Sequence, residues 1–324
     1  MAWVGDVQVA TAETSGPRRV LVVGGTGLIG GHAALRLREA GHAVTIASRR
    51  RPEGGLLATL PFVPVDYIGK KAERDFFAPF DTLVFAAGND YRHVPKAADG
   101  TANWHEANAL AIPAFFKDAK EAGISTAILI GSWYPQAAPT LIDQDPYVAS
   151  RLHADEGVRA LSDDGFRVVV LNAPYVVGHV DGLDVKQNSL YSRWAMGRLT
   201  RFPRFTVKGG INVISTDTLS DAVIGAIERG EAGKAYLIGD ENLTFQDYFG
   251  LYFKAAGDER SLEVLDEYHP FISDAVVCRA PDSTIYLDTD PAEVALLGYR
   301  RNDVERTIRL IVDNYIRSQA PEAD

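Results

Sequence analysis

The stretch RVLVVGGTGLIGGH, residues 19–32, decides the fold. Residues 20–23 are apolar and mostly β-branched, as is typical of a strand that is buried on both faces. Glycines follow at once, and residues 28–40 then have the apolar spacing of a helix that ends before Gly41. A glycine turn between a buried strand and a helix lets a phosphate group approach the main chain, where the helix N-terminus offers free N–H groups.

The spacing of the glycines supports a dinucleotide-binding turn. Gly24, Gly27 and Gly30 occupy every third position, and Gly25 starts a G-x-G-x-x-G pattern that runs through the same two later glycines. We expect Gly27 to adopt a positive φ and to leave room for a pyrophosphate. A tight turn that binds nothing is the alternative.

Strands and helices alternate through the first half of the chain. Further buried strands are predicted at 43–47, 62–65, 82–86, 127–130 and 168–171, and helices at 103–122 and 146–161. Such alternation implies right-handed crossovers and a parallel sheet, so we expect an α/β protein with a Rossmann-type doubly wound sheet.

After residue 173 the alternation is less regular. Residues 181–203 are predicted as loop with one amphipathic stretch, followed by helices at 216–228 and 244–256 and a strand at 234–238. We expect residues 18–174 to form a dinucleotide-binding domain, to which 211–238 return. A smaller, mostly C-terminal substrate-binding region is predicted at 175–210 and 239–324. Residues 1–17 are predicted to be a loose leader, without the features of a signal peptide.

Composition excludes several classes of protein. With 33 basic against 43 acidic side chains, the chain is a poor candidate for binding nucleic acid. No apolar run approaches the ~20 residues of a membrane helix. The single cysteine, Cys278, excludes an internal disulfide framework, and the histidines show no ligand spacing, so we expect no metal site and a reducing cytoplasm as the location.

The end of the second predicted strand indicates which dinucleotide binds. Proteins that bind NAD usually place a carboxylate there for the ribose 2′-hydroxyl, whereas this chain has Ser48, Arg49 and Arg50. Guanidinium groups suit a phosphate, so NADP is favoured over NAD. A solvated basic loop is the alternative.

Further motifs give the chain a family resemblance over nearly its whole length. It resembles the extended short-chain dehydrogenase/reductase family, the NAD(P)-dependent epimerase/dehydratase-like group. The motifs stand in the family's order: GGTGLIG, PVDY, LVFAAGND, HEANALAIPAFFKDAKEAG, AILIGSWYP, YVASRLHADE, NAPYVVG, NVISTDTLSDAVIGAIE and VALLGYRRNDVERTIRLIVDNYI.

The resemblance implies a set of cofactor-binding residues. Asp66 matches the acid that the family uses near the adenine, and Ala86, Ala87 and Gly88 match the strand end beside the ribose. The whole implied set is Gly24, Gly27, Leu28, Ile29, Gly30, Ser48, Arg49, Arg50, Asp66, Tyr67, Ala86, Ala87, Gly88, Tyr147, Arg151, Ala173, Pro174 and Val176.

The resemblance also implies the catalytic residues, with one departure. The family uses a tyrosine and a lysine at i and i+4, on one helix face, and here these positions hold Tyr147 and Arg151. Ser132 and Asn108 match the family's serine and its central-helix asparagine. Arginine keeps the positive charge but cannot pass on a proton at accessible pH.

Three interpretations of Arg151 stay open at this point. Arginine can take the role of the lysine, another acid such as Tyr134 or His93 can supply the proton, or the protein can bind its cofactor without turnover.

The implied substrate pocket is largely aromatic. The family shapes it with residues that match Asn89, Trp133, Tyr134, Tyr175, Tyr191 and Trp194. Aromatic walls suit a small apolar or ring-bearing substrate, whereas ordinary core packing is the alternative for each residue alone.

The reaction expected within the family is hydride transfer. The Asp-Glu pair of sugar-nucleotide dehydratases is replaced here by SWYPQ, and the arginines at residues 49 and 50 argue against an epimerase that holds NAD. NADPH-dependent carbonyl reduction, or the reverse oxidation, is therefore expected, with Tyr147 as proton donor. An NAD(P)-dependent epimerase or a non-catalytic NADP-binding sensor or scaffold is the alternative. Resemblance also implies a homodimer through the helices around Asn108 and Tyr147.

Overall fold

The computed structural model describes residues 16–69, 72–90, 100–270, 272 and 283–319. The leader predicted at 1–17 therefore lies almost entirely outside the described residues, as do His93 and Cys278. The strands within the described part are β1 (Arg19–Val23), β2 (Ala43–Ser48), β3 (Phe62–Pro64), β4 (Thr82–Phe85), β5 (Thr126–Ser132), β6 (Arg167–Ala173), β7 (Tyr175–Val177), β8 (Phe205–Val207), β9 (Gly210–Ser215), β10 (Lys234–Leu237), β11 (Glu241–Thr244), β12 (Glu263–Leu265) and β13 (Thr284–Ile285).

The helices of the described part alternate with these strands. They are α1 (Leu28–Glu39), α2 (Arg74–Phe77), α3 (Thr101–Trp104), α4 (Ala111–Ala122), α5 (Tyr134–Ala137), α6 (Pro146–Arg159), α7 (Lys186–Ala195), α8 (Thr216–Arg229), α9 (Phe245–Ala255), α10 (Pro291–Leu297) and α11 (Val304–Ser318). Short 3₁₀ turns lie at Leu56–Thr59 and Pro139–Leu141.

A parallel sheet of seven strands dominates the described residues, in the order β10-β6-β5-β4-β1-β2-β3. The predicted Rossmann-type doubly wound sheet is thus confirmed. Its order reverses at β1, and the carboxyl ends of β1 and β4 leave a crevice there, which is where such sheets bind ligands. Side chains alternate between two cores, one beside α1 and α8 and the other beside α2, α4 and α6.

The smaller sheets come from the part of the chain where the sequence pattern was less regular. β9 pairs with β7, β11 and β13, while β8 pairs with β12. Of the stretch 211–238, α8 and β10 belong to the large sheet layer, whereas β9 belongs to a small sheet. Five of the six strands missed by the sequence, β7, β8 and β11 to β13, have only two to four residues, which gives little periodicity.

The helix predicted at 103–122 is interrupted. Residues His105–Leu110 form a π-helical segment between α3 and α4. The extra residue per turn moves Ala107 and Asn108 into the interior. None of the helices in the described ranges is both long enough and apolar enough to cross a membrane.

Candidate active site

Gly24 lets the first turn pack against the residues that follow β4, and Gly30 lets the turn close on itself. Gly24 has φ of 81°, and a Cβ there would lie 2.8 Å from the main-chain carbon of Ala86. A Cβ on Gly30 would lie 2.5 Å from the carbonyl oxygen of Gly24. Any side chain at either position would therefore disturb the turn.

Gly27 differs from the sequence expectation. Its φ is −93° and its ψ is 175°, so the expected positive φ was wrong, and Gly24 has that conformation instead. The nearest atom to a Cβ on Gly27 would be the carbonyl oxygen of Gly24, at 3.5 Å, which is an ordinary contact. The space beside Gly27 is open in the protein and can receive a ligand.

The first turn of α1 has free main-chain amides that can bind an anion. Gly27 supplies no side-chain cap, and within the described residues no acidic side chain stands in this first turn. Side-chain caps begin α6, α8, α9 and α10, whereas the longer helices α7 and α11, like α1, have none. The amides of Leu28, Ile29 and Gly30 are thus left for a ligand, as a bound pyrophosphate would need.

The end of β2 carries two arginines with no acidic partner. Ser48 Oγ accepts from the amide of Arg50 at 3.3 Å and donates to its carbonyl oxygen at 2.7 Å, which fixes the loop. Arg49 and Arg50 are exposed, and neither forms an ion pair with any residue that the structure describes. Their guanidinium groups are free to bind a phosphate.

Asp66 and Tyr67 follow β3 and point in different directions. Asp66 is exposed and accepts from the amide of Ile68 at 3.2 Å. The ring of Tyr67 packs edge to face on the ring of Phe85, with 5.1 Å between the ring centroids. The hydroxyl of Tyr67 is buried and has no hydrogen-bond partner among the described residues. Burial raises the pKa of Tyr67 to about 12, although Arg151 and then Arg49 oppose the shift.

Asn108 ties the π-helical segment to the end of β4. Its Oδ1 accepts from the amide of Asn89 at 3.0 Å, and its Nδ2 donates to the carbonyl oxygen of Asn89 at 2.9 Å. The same Nδ2 donates to Ser150 Oγ at 3.1 Å, and Ser150 Oγ donates to the carbonyl oxygen of Tyr147 at 2.7 Å. Asn108 thus positions the strand end beside the helix that carries Tyr147.

Arg151 is buried and held by the main chain. It is 8 % exposed, and its Nη2 donates to the carbonyl oxygen of Ile130 at 2.9 Å. Its Nη1 lies against Gly88, where a Cβ would come within 2.5 Å of it. No carboxylate among the described residues pairs with Arg151, and its Nε is buried without a partner.

Tyr147 and Ser132 come from neighbouring elements at the carboxyl end of the sheet. Tyr147 lies in the first turn of α6, where Asp145 Oδ1 accepts from its amide at 3.0 Å. The ring of Trp104 packs edge to face on the ring of Tyr147, with 5.8 Å between the ring centroids. Ser132 ends β5 and pairs with Ala173 on β6. A phenol and a hydroxyl together with a guanidinium are suited to polarising a carbonyl and exchanging a proton with it.

The residues expected to form the substrate pocket divide into two groups. Tyr134 after β5, Tyr175 on β7 and Asn89 after β4 are partly exposed, as is Val176 of the implied cofactor set. Trp133, Tyr191 and Trp194 are at most 3 % exposed and lie in one core cluster.

Two of these buried aromatic side chains form hydrogen bonds through their polar atoms. Trp194 Nε1 donates to the carbonyl oxygen of Pro203 at 3.1 Å, and Gln187 Nε2 donates to Tyr191 Oη at 2.7 Å. Ala173 and Pro174 are also buried, at the end of β6.

Sequence reasoning missed the polar residues that support the site. Ser150, Asn172 and Asp155 are each at most 4 % exposed and hydrogen-bonded. The one signal available was a polar residue inside an apolar run, as with Asn172 in RVVVLNA.

The crevice has the features that a nicotinamide dinucleotide needs. The open space beside Gly27 and the uncapped start of α1 suit its pyrophosphate, and the unpaired arginines after β2 suit a phosphate on its adenosine ribose. Arg151 Nη1 lies beside Gly88, which follows β4, and Tyr147 stands one helical turn before Arg151 on α6. The residues present therefore fit such a cofactor.

Comparison with protein families gives one match. A family model described as "NAD dependent epimerase/dehydratase family" matches residues 20–239. The matched part includes all but the first residue of β1, the strands β2 to β10 and every residue of the candidate site. A comparison with curated protein sequences gave no match.

Solved structures share the fold. The UDP-N-acetylglucosamine 4-epimerase from Bacillus cereus has a TM-score of 0.68 and 15 % identity, covering 92 % of this chain and 99 % of its own. RMD from Pseudomonas aeruginosa, complexed with NADPH, has a TM-score of 0.62 and 17 % identity, covering 93 % and 99 %. MoeE5, in complex with UDP-glucose and NAD, has a TM-score of 0.67 and 18 % identity, also covering 93 % and 99 %.

Proposed function

This chain belongs to the NAD dependent epimerase/dehydratase family, and from that premise we propose that it is an NADPH-dependent reductase of a small apolar or aromatic carbonyl compound. It is an enzyme of the extended short-chain dehydrogenase/reductase type. The observation that carries the choice of NADPH is the pair of exposed arginines after β2, Arg49 and Arg50, which have no acidic partner among the described residues. An added phosphate on the ribose would supply that partner.

The proposed cofactor contacts follow the crevice. The amides at the start of α1 would hold the pyrophosphate, and Asp66 would face the adenine. The residues at the end of β4 would lie beside the ribose, and those at the end of β6 would line the nicotinamide. When bound, the cofactor supplies the hydride for the reduction.

Tyr147 is the proposed proton donor. A hydroxyl can return a proton to the oxygen of a reduced carbonyl, and Ser132 can donate a hydrogen bond to the same oxygen. Arg151 supplies positive charge, and its Nη1 beside Gly88 can donate to a ribose hydroxyl. Because arginine cannot pass on a proton, the proton that Tyr147 gives must be replaced from water or from a neighbouring hydroxyl.

The proposed substrate contacts are the partly exposed residues. Tyr134, Tyr175 and Asn89 are accessible, whereas Trp133, Tyr191 and Trp194 support the pocket from the core behind them. Phenol rings favour an apolar or aromatic compound and orient it through one hydroxyl.

A second candidate function is NADP binding without turnover. The observation that favours it is the hydrogen bond from Arg151 Nη2 to Ile130, because this bond withdraws one edge of the guanidinium from the crevice. From the family resemblance we further propose a homodimer through the helices around Asn108 and Tyr147, and from the single cysteine a cytoplasmic location.

Absorbance at 340 nm tests the proposed reaction. The protein is incubated with NADPH and a panel of aromatic and aliphatic aldehydes and ketones, and consumption of NADPH is followed. Tyr147→Phe should lower the rate by about 10²–10⁴-fold while it leaves NADPH binding intact, since only a general acid is removed. Arg151→Lys should keep at least part of the activity, and Arg151→Met should lose both activity and cofactor affinity.

The controls separate the two candidate functions. An unchanged rate in Tyr147→Phe would mean that another group, Tyr134 first, donates the proton. If NADPH binds tightly and no compound on the panel is reduced by the unaltered protein, binding without turnover is the better description.

A further inference from the structure

Asn172 joins three elements around the candidate active site. It is 1 % exposed and lies near the end of β6. Its Nδ2 donates to Asp155 Oδ2 on α6 at 2.7 Å and to Gln136 Oε1 on α5 at 3.1 Å. The orientation of the amide is fixed, since a carboxylate can only accept hydrogen bonds.

The surrounding chain is adapted to this amide. A Cβ on Gly131 would lie 1.9 Å from Asn172 Oδ1, so only glycine leaves room there, directly before Ser132. The other oxygen of Asp155 accepts from Arg159 Nε, which holds the carboxylate in place. Asp155 is 4 % exposed and lies one helical turn beyond Arg151.

The two bonds of Asn172 link the two parts of the site that have to be aligned. Gln136 belongs to the short helix α5, which begins at Tyr134 and follows Ser132 and Trp133 without a break. Asp155 belongs to α6, which carries Tyr147 and Arg151. Four-residue helices have little stability of their own, so α5 depends on such contacts for its position.

We propose that Asn172 and Asp155 are positioning residues, which set the segment from Ser132 to Tyr134 against Tyr147 and Arg151. The proposal rests on the proposed function for its catalytic consequence. Loss of the link would misplace the hydroxyls without removing any group that touches cofactor or substrate. A misplacement of about 1 Å can cost about 10²-fold in rate.

The test exchanges the two partners. Asn172→Asp sets two carboxylates against each other, and the double variant Asn172→Asp with Asp155→Asn restores one acceptor and one amide donor. With a carbonyl compound that the unaltered protein reduces, Asn172→Asp should lower kcat by about 10- to 100-fold. The Kd for NADPH should stay within about twofold, and the double variant should recover most of the lost kcat.

A second readout does not need a substrate. Amide hydrogen exchange should become faster at residues 133–137 and 147–151 in Asn172→Asp and return towards its original rate in the double variant. Gln136→Ala changes an exposed side chain and should fold normally, so it provides a safer variant that speeds exchange at 133–137 alone.

Asn212→Asp is the matched control. Asn212 is also 1 % exposed and hydrogen-bonded, to Asn242 and to the amide of Asp240, but it lies on β9 in a small sheet. It should leave exchange at 133–137 and 147–151 unchanged. Unchanged exchange in both Asn172→Asp and Gln136→Ala, or failure of the double variant to recover, would overturn the proposal. Failure to find any reducible carbonyl would reject the proposed function and leave the exchange result to decide the positioning role.

Discussion

Gly24 and Gly27 lie three residues apart and meet different requirements. Gly24 has a positive φ and no room for a Cβ, so the fold itself needs it. Gly27 has an extended conformation and open space, so the fold itself does not need a glycine there. We therefore propose that the glycine at residue 27 serves ligand binding, whereas the one at residue 24 serves the fold.

Alanine at each position should separate these roles. Gly24→Ala should lower the free energy of unfolding by about 1 kcal/mol or more, because a non-glycine residue at that φ is strained and its Cβ meets β4. Gly27→Ala should unfold at nearly the original temperature yet bind NADPH weakly. Thermal unfolding and calorimetric titration of NADPH check both, and full NADPH affinity in Gly27→Ala would show that the turn binds no phosphate.

Arg49 and Arg50 should decide between the two dinucleotides. Replacing both by glutamine should weaken NADPH binding about ten- to a hundredfold, since a charged contact to a phosphate contributes about 1.5–3 kcal/mol. NADH affinity should barely change. Arg38, which lies on α1 and donates to Thr59 Oγ1, provides an arginine control outside the loop. Equal losses for both dinucleotides would contradict the assignment.

At the scale of elements, polar contacts position the π-helical segment and the start of α11. The side chain of Asn108 in the π-helical segment points inward and bonds to the main chain of Asn89. The main-chain amides at the start of α11 donate to Asp240 and Glu241, the two acidic residues that follow β10. Asp240 has no exposed side-chain surface and accepts from Arg301 Nε and from the amides of Asn302 and Asp303. Because α11 packs on α7 and α9, the contact with Asp240 connects these three helices to β10 at the edge of the large sheet.

Removing that carboxylate should loosen the start of α11. Asp240→Ala leaves two main-chain amides without an acceptor, so the free energy of unfolding should fall by at least about 1.5–3 kcal/mol. Asp266→Asn is the control, because Asp266 is 75 % exposed and pairs with Lys208 at the surface. That change should stay within about 0.5 kcal/mol. Urea unfolding measures the free energy of unfolding of both variants. Equal losses in the two variants would contradict the role of Asp240 in holding the start of α11.

At the scale of the whole molecule, buried ionisable groups set the pH range of stability. Burial lowers the pKa of His32 and of His269 below the ordinary value of 6.5. His269 Nδ1 accepts from the amide of Ile272 at 3.2 Å, so its neutral form is required. Burial raises the pKa of Tyr191 and of Tyr248 well above 10.

Stability should therefore be highest between about pH 6.5 and pH 10. Below pH 6.5 each of these histidines binds more protons in the unfolded protein than in the folded one. The free energy of unfolding therefore falls as the pH is lowered, by at most about 1.4 kcal/mol per pH unit for each histidine. Above 10 the unfolded tyrosines lose protons that the folded ones keep, and stability falls again. Urea unfolding from pH 5 to 11 checks both limits. His269→Asn, which keeps an acceptor for Ile272, should flatten the acid side alone, and an unaltered acid slope in that variant would contradict the assignment.

The sequence by itself determined the large sheet and the turn at its first crossover. The strands β1 to β6 are mostly apolar, and the helices α1, α4 and α6 between them have clear spacing, while the glycines and caps that end these elements act through neighbouring residues. For the same reason Tyr147 and Arg151 could be placed on one helix face and the arginines after β2 at the crevice.

Only the tertiary structure decided what those residues touch. The bond from Arg151 to Ile130, the enclosure of Tyr191 and Trp194, and the link of Asn172 to Asp155 and Gln136 join residues that lie far apart in the chain. The strands of the smaller sheets, β7 to β9 and β11 to β13, are mostly short and are stabilised by pairing with distant partners, so their own residues carry little signal. Local physics fixes a residue's conformation and face, whereas its hydrogen-bond partners and burial depend on how the whole chain packs.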